Sequence, residues 1–285
     1  MKWTVAGKSD FNYLIDFLLE KEWEHTFFSS RIIKKGGFVL PPKSRFPILI
    51  LREKDRIKAA CMITIWGALF PVFRSIDPPD DREIKELVSW INKNLKRVYS
   101  IMGTEERVES LRSHFEVNNE KKIDYNLMIR EHKHFQPIMP QIENFKVLKA
   151  VPDDSAALLG LELEYQREEV FLDPTQIKNT QIYHNLRSSL NDQIVYYMTK
   201  DIIPIAKVGT NSRGHKWNQI GGVYTDREYR NKGISSWLMY YLLDILENDG
   251  KKTVLFVKDS NKAAEKVYTK LGFEIKKKFN IIYYI

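Results

Sequence analysis

The chain has 285 residues, 43% of them apolar, enough to fill the core of one large domain or of two ordinary ones. Its 45 Lys and Arg against 37 Asp and Glu give a formal charge of +8, which admits an anionic ligand such as a nucleotide, a nucleic acid or an acidic membrane surface. The basic residues are scattered, however, with only IIKK and KKKF forming short runs, so a solvated surface accounts for them and nucleic acid is not an expected partner.

In chain order, the N-terminal MKWTVAGKSDFNYL lacks an apolar h-region. No run approaches the roughly 18 apolar residues that cross a bilayer, so no membrane partner is expected and the cytoplasm is the expected compartment. FPILILREK and RIKAACMITIW read as a hairpin around Lys54 and Asp55, and ALFPVFRSI as a third strand. The single cysteine, Cys61, lies in the apolar AACMITIW, which marks a buried thiol and excludes an internal disulfide or a cysteine-based zinc site. REIKELVSWINKNL places Ile84, Leu87, Val88, Ile91 and Leu95 on one helix face. RVYSIMG, TEERVESLRSHF and KIDYNLMIRE then read as strand, helix and strand. HKHFQPIMPQ (132–141), with two prolines and little periodicity, reads as a linker.

The second half repeats that order. Strands are predicted at 192–200 and 202–210 around a tight turn at Asp201, then in WNQIGGVYTD. Trp237, Leu238, Tyr241, Leu242, Ile245 and Leu246 recur at helical spacing until Asn248, Asp249 and Gly250 stop the run. TVLFVK is a strand of the kind buried on both faces, NKAAEKVYTKLGF a short helix closed by Gly272, and FEIKKKFNIIYYI a last strand. The expected fold is therefore α/β with a mixed sheet, in two similar units, 1–135 and 141–285.

YRNKGIS (229–235) stands between a strand and a helix. The first amides of a helix lack intrahelical acceptors and sit at the positive end of its dipole, so such a junction is an anion site. Gly233 lacks the Cβ that would hold a phosphate away, and Arg230 and Lys232 add charge. Neither G-x-G-x-x-G after a strand nor G-x-x-x-x-G-K-[ST] occurs. In the first half the corresponding junction reads DPPDDRE, whose four carboxylates and two prolines repel an anion and remove donors.

TDREYRNKGIS resembles the pyrophosphate-binding loop of the GNAT superfamily of N-acetyltransferases: Arg or Gln, two residues, Gly, one residue, then Gly or Ala. Arg230, Asn231, Lys232, Gly233, Ile234 and Ser235 fill it here, with Ser235 departing from the last place while remaining able to cap the helix. NKAAEKVYTKLGF resembles the second signature through Asn261, Ala264, Tyr268, Leu271, Gly272 and Phe273. The resemblance covers roughly the last hundred residues. It implies an acyl-CoA donor, usually acetyl-CoA, and no metal. The loop amides would hold its pyrophosphate, the backbone of Val223, Tyr224 and Thr225 would pair with the pantetheine arm, and Asn261 would face that arm. The first unit would then be a degenerate copy supporting one working site.

The resemblance makes Tyr268 the general acid for the departing thiolate and puts the donor to the thioester oxygen at a backbone N–H near Thr225. Its competing role is a buried aromatic of a short helix. An aliphatic ammonium near pKa ~10.4 needs a base or a water relay, and Glu164, Glu168 and Glu169 in ELEYQREEVF occupy the region where the acceptor pocket is usually built. Glu169 is the candidate base, against the alternative of a solvated carboxylate. His184 and His215 have no metal partner at useful spacing and read as surface residues. The expected function is acetyl transfer to an amine of a small molecule or peptide. An aminoacyl-tRNA-dependent transferase, which needs no such loop, and a non-catalytic acyl-CoA-binding module are the alternatives. Oligomeric state is not legible.

Overall fold

The computed structural model describes residues 2–34, 37–38, 47–115, 119–131 and 136–284. Residues 132–135 of the expected linker lie outside the described residues, and 136–142 form neither helix nor strand. In chain order the elements are β1 (Trp3–Val5), α1 (Phe11–Leu19), α2 (Thr26–Ile32), β2 (Ile33–Lys34), β3 (Gly37–Phe38), β4 (Ile48–Glu53), β5 (Arg56–Ile63), β6 (Ala68–Phe73), α3 (Asp81–Asn94), β7 (Ser100–Thr104), α4 (Glu105–Arg112) and β8 (Glu120–Arg130). There follow β9 (Phe145–Lys149), α5 (Ser155–Tyr165), α6 (Asn179–Asp192), β10 (Val195–Lys200), β11 (Ile203–Arg213), β12 (Trp217–Thr225), α7 (Ile234–Asn248), β13 (Lys252–Lys258), α8 (Lys262–Lys270) and β14 (Phe273–Tyr284).

Contacts divide the chain into two units. One comprises Met1–Met128, Phe256–Lys262 and Ile275–Ile285, the other Ile129–Leu255 and Ala263–Glu274. The expected partition at 1–135 and 141–285 treated each half as continuous, whereas the last eleven residues group with the first half. The cause is pairing. Phe279–Tyr283 run antiparallel to Ser100–Thr104, so the end of β14 joins the sheet of the first unit between β7 and β8.

In the first unit β1, β4, β5 and β6 are antiparallel neighbours and β7 joins β6 in parallel from Ala68↔Ser100. The period of two in β4 sorts its side chains: Leu49 and Leu51 pack with α3 and α4, Ile48 and Ile50 with α1 and α2. Helices thus cover both faces, each fully buried Leu or Ile contributing about 1.5–3 kcal/mol. Cys61 is buried in this core and burial pushes its thiol up to about 12. The DPPDDRE junction closes on itself. The Asp80 carboxylate accepts the Glu83 N–H at 2.7 Å, and the Glu83 carboxylate accepts the Asp80 N–H at 2.9 Å and the Lys58 ammonium at 2.9 Å.

The second unit follows the same plan. β9, β10, β11 and β12 are antiparallel in that order and β13 joins β12 in parallel, from Trp217↔Lys252 to Ile220↔Leu255. Asp201, in the left-handed region at φ 54°, makes the expected turn between β10 and β11. Leu158 and Leu161 of α5 and Leu186 and Leu190 of α6 pack on Tyr197 and Tyr224 of the sheet.

Candidate active site

β12 is irregular where it matters. Lys207 pairs with Tyr224 and Gly209 with Gly221, so Val208 alone faces Gly222 and Val223, a β-bulge. Gly222 has φ 61°, a conformation open to glycine at no steric cost. Parallel pairing to β13 stops at Ile220, while β12 runs on to Thr225. Beyond the bulge the strand keeps its outer register, Ala206↔Thr225. Thr225 is buried, and its Oγ1 has no hydrogen-bond partner among the described residues.

From Thr225 the chain makes a short 3₁₀ turn, Arg227–Tyr229, and enters α7 through Asn231 at φ 62° and Gly233 at φ 77°. Gly233 is the N-cap and no side chain caps the helix there. Ser235, expected as a cap, instead lies inside the first turn, because the left-handed glycine starts the helix at Ile234. A Cβ on Gly233 would meet no protein atom within 4 Å, so its backbone angle, not crowding, calls for glycine. The Arg230 guanidinium bonds the Thr225 carbonyl at 3.0 Å and Glu168 at 2.9 Å, and the Lys232 ammonium bonds the Glu228 carbonyl at 3.1 Å.

Glu168 lies in a π-helical turn, Gln166–Val170, that continues α5. Its carboxylate also accepts the Tyr224 hydroxyl and Arg227 Nε, each at 2.8 Å. Partial burial alone would raise its pKa, but bonds from Arg227, Tyr224 and Arg230 outweigh that and lower it to about 2. Burial, then Glu168, pushes the Tyr224 phenol up to about 12. Of the three carboxylates in ELEYQREEVF, Glu169 is the candidate base on the resemblance. The structure separates them, since Glu164 pairs with Arg167 on an exposed turn and Glu169 is half-buried near two phenols.

Those phenols are Tyr165 and Tyr268. Tyr268 is buried against Phe273 at 6.2 Å, and burial followed by the Glu169 charge raises its pKa well above the usual tyrosine value. Tyr165 is raised by burial, Glu162 and Tyr268. Beside it stands a buried ion pair that sequence reading missed, Lys207 Nζ to Glu162 Oε2 at 2.9 Å. The available signal was Lys207 standing as a lone charge in the apolar strand IPIAKVG. Asn261 lies in the turn between β13 and α8, seven residues before Tyr268. His184 and His215 are exposed. Among the described residues no group of three or more metal-ligating side chains occurs, and no helix is long and apolar enough to cross a membrane.

Residues 161–273 match the acetyltransferase (GNAT) family model. The chain carries a GNAT acetyltransferase domain. A solved Drosophila protein superposes on 99% of this chain and 98% of its own with a TM-score of 0.66 at 12% identity. A GCN5-related N-acetyltransferase from Sphaerobacter thermophilus covers 98% and 94% at 0.60 and 13%. A tandem GNAT protein from the clavulanic acid biosynthesis pathway covers 99% and 97% at 0.55 and 10%. At these identities the likeness is one of fold, and it extends the GNAT architecture over both units. Among curated proteins no match is found. A GNAT domain of this form supports acyl transfer.

Proposed function

We propose that the GNAT domain transfers an acetyl group from acetyl-CoA to an amine of a small molecule or peptide, with one working site per chain. The observation that carries this reading is the N-terminus of α7, which no side chain caps and which begins directly beyond a bulged strand. An anionic pyrophosphate would accept hydrogen bonds from first-turn amides that no side chain caps. The residues fit such a donor. Amides of the segment Arg230, Asn231, Lys232, Gly233, Ile234 and Ser235 hold the pyrophosphate, while Val223, Tyr224 and Thr225 offer strand edge to the pantetheine arm. The orphaned Thr225 Oγ1 gains a partner. Asn261 remains a proposed contact on the resemblance alone.

Acyl-CoA supplies an activated thioester. Tyr268 keeps its proton through neutral pH because burial raises its pKa, so it is protonated when the thiolate leaves. Glu169, whose charge is felt by the Tyr268 phenol, receives the proton of the attacking amine, directly or through water. The first unit, whose equivalent helix end is filled by Asp80 and Glu83, is a degenerate copy.

Calorimetric titration of the full chain with acetyl-CoA tests the site, and a screen of amines following free thiol tests the reaction. One site per chain and thiol release with an amine are expected. Two equivalent sites would defeat the degenerate-copy reading, and binding without turnover on any amine would leave a binding module.

A further inference from the structure

Lys207 points a buried ammonium at the bulge of β12. It is 5% exposed and its Nζ lies 3.0 Å from the Gly222 carbonyl, 2.9 Å from Glu162 and 4.4 Å above the Tyr165 ring. Glu162, itself buried, also accepts Gln166 Nε2 at 2.6 Å. Removing two charges from water is costly and does not by itself favour folding, since an apolar pair of similar size commonly does as well. The pair is therefore best explained by what it holds. It holds one peptide group: the carbonyl of Gly222 and the N–H of Val223 belong to the same planar trans unit.

We propose that Lys207, paired with Glu162, is a positioning residue that aims and polarises the Val223 N–H as the hydrogen-bond donor to the acyl oxygen. This rests on the acyl-CoA reading above and specifies its least determined part. In a trans peptide the C=O and N–H bonds point in opposite directions, so fixing the carbonyl on Lys207 turns the Val223 N–H away from it. That N–H lies on the stretch of β12 beyond Ile220, where pairing with β13 has ended. The neighbouring peptide is occupied separately, because the Gly222 backbone hydrogen-bonds the Tyr165 phenol. A cation on the carbonyl strengthens the donor at the other end of the same amide, as in any hydrogen-bonded chain. The donor expected near Thr225 thus moves two residues upstream. Lys207 does not touch the reacting atoms.

The test is difference infrared spectroscopy of acetyl-CoA carrying ¹³C at the thioester carbonyl, with coenzyme A affinity measured by calorimetry on the same samples. Lys207→Met with Glu162→Gln removes both charges together and keeps the Gln166 bond. Should that pair fail to fold, Lys207→Leu with Glu162→Gln is read in the same way. In the unaltered protein the carbonyl stretch moves to lower frequency on binding. In the double variant at least half of that shift is lost while coenzyme A affinity stays within about threefold, since the pyrophosphate cradle is separate. An unchanged shift in a folded variant, or no shift in the unaltered protein, overturns the lock and leaves acyl-CoA binding intact. Failure of the unaltered protein to bind coenzyme A overturns the reading on which the lock rests.

Discussion

The two units build the same junction with opposite chemistry. α3 and α7 each follow an antiparallel triplet and lead to a parallel strand. At α3 the first amides are met by the Asp80 side chain, with Glu83 reciprocating, and Lys58 pairs with Glu83. At α7 a left-handed glycine takes the N-cap place and contributes no side chain. One end is closed by its own carboxylates, while no side chain caps the other, which the proposed function gives to an anion from outside. If the proposed function holds, a helix N-terminus becomes a ligand site less by what is placed there than by what is withheld, and a duplicated fold can lose a site by gaining a good cap.

That contrast can be broken at the chemistry first. Tyr268→Phe keeps the ring and its packing on Phe273 while removing one proton donor, so kcat should fall by about 10² to 10⁴ with coenzyme A affinity little changed. Near-normal kcat under chemistry-limited conditions would reduce Tyr268 to a core aromatic. Gly233→Glu imitates α3 by supplying a carboxylate at the open end, and should weaken coenzyme A binding by about 100-fold or more. Its backbone strain should cost about 1–2 kcal/mol, visible as a lower Tm, and Gly233→Ala isolates that strain without the charge. Retained affinity in the Glu variant would show the loop to be only a turn.

Smaller effects sharpen the comparison. Glu168 has a lowered folded-state pKa, so its contribution is full above the unfolded value near ~4.3 and is lost as pH falls toward about 2. With its side chain 22% exposed, screening leaves about 1–2 kcal/mol of the ideal value. Melting curves of Glu168→Gln and the unaltered protein should differ by that amount at neutral pH and converge between pH ~4.5 and 2. A constant gap would assign the effect to packing. Asp80→Ala removes the cap of α3 and should lower stability by about 1 kcal/mol while leaving one acetyl-CoA site. A second calorimetric site in that variant would mean that the carboxylate alone had closed the first unit.

The sequence showed both junctions because each is written in adjacent residues: glycine before an apolar helical period in one, carboxylates and prolines in the other. Element order was legible for the same reason, from periods of two and 3.6. What it hid lies in partners distant along the chain. Glu168 meets Arg227 59 residues away and Arg230 62 away, and nothing local separates it from Glu164 or Glu169. The bulge was hidden too, since GG in QIGGVY marks a permissive backbone without saying which residue opposes it. The unit to which the last strand belongs depends on pairing register, and both halves end in strands of similar character.

That last strand sets a schedule for synthesis. Thr104 pairs with Phe279, so 175 residues (279 − 104) must be made between the two sides of one ladder. At ribosomal speeds of about 5–20 residues per second, the β7 edge stays without its partner for roughly 9–35 s. During that interval the first half exposes an unpaired strand edge, the kind of surface that invites mispairing between nascent chains. The second unit is made within the same interval, so its core is available to form before β14 joins the first. Ribosome-bound chains halted before residue 279 should keep the β7 amides directed at β14 open to hydrogen exchange, and release of the whole chain should protect them.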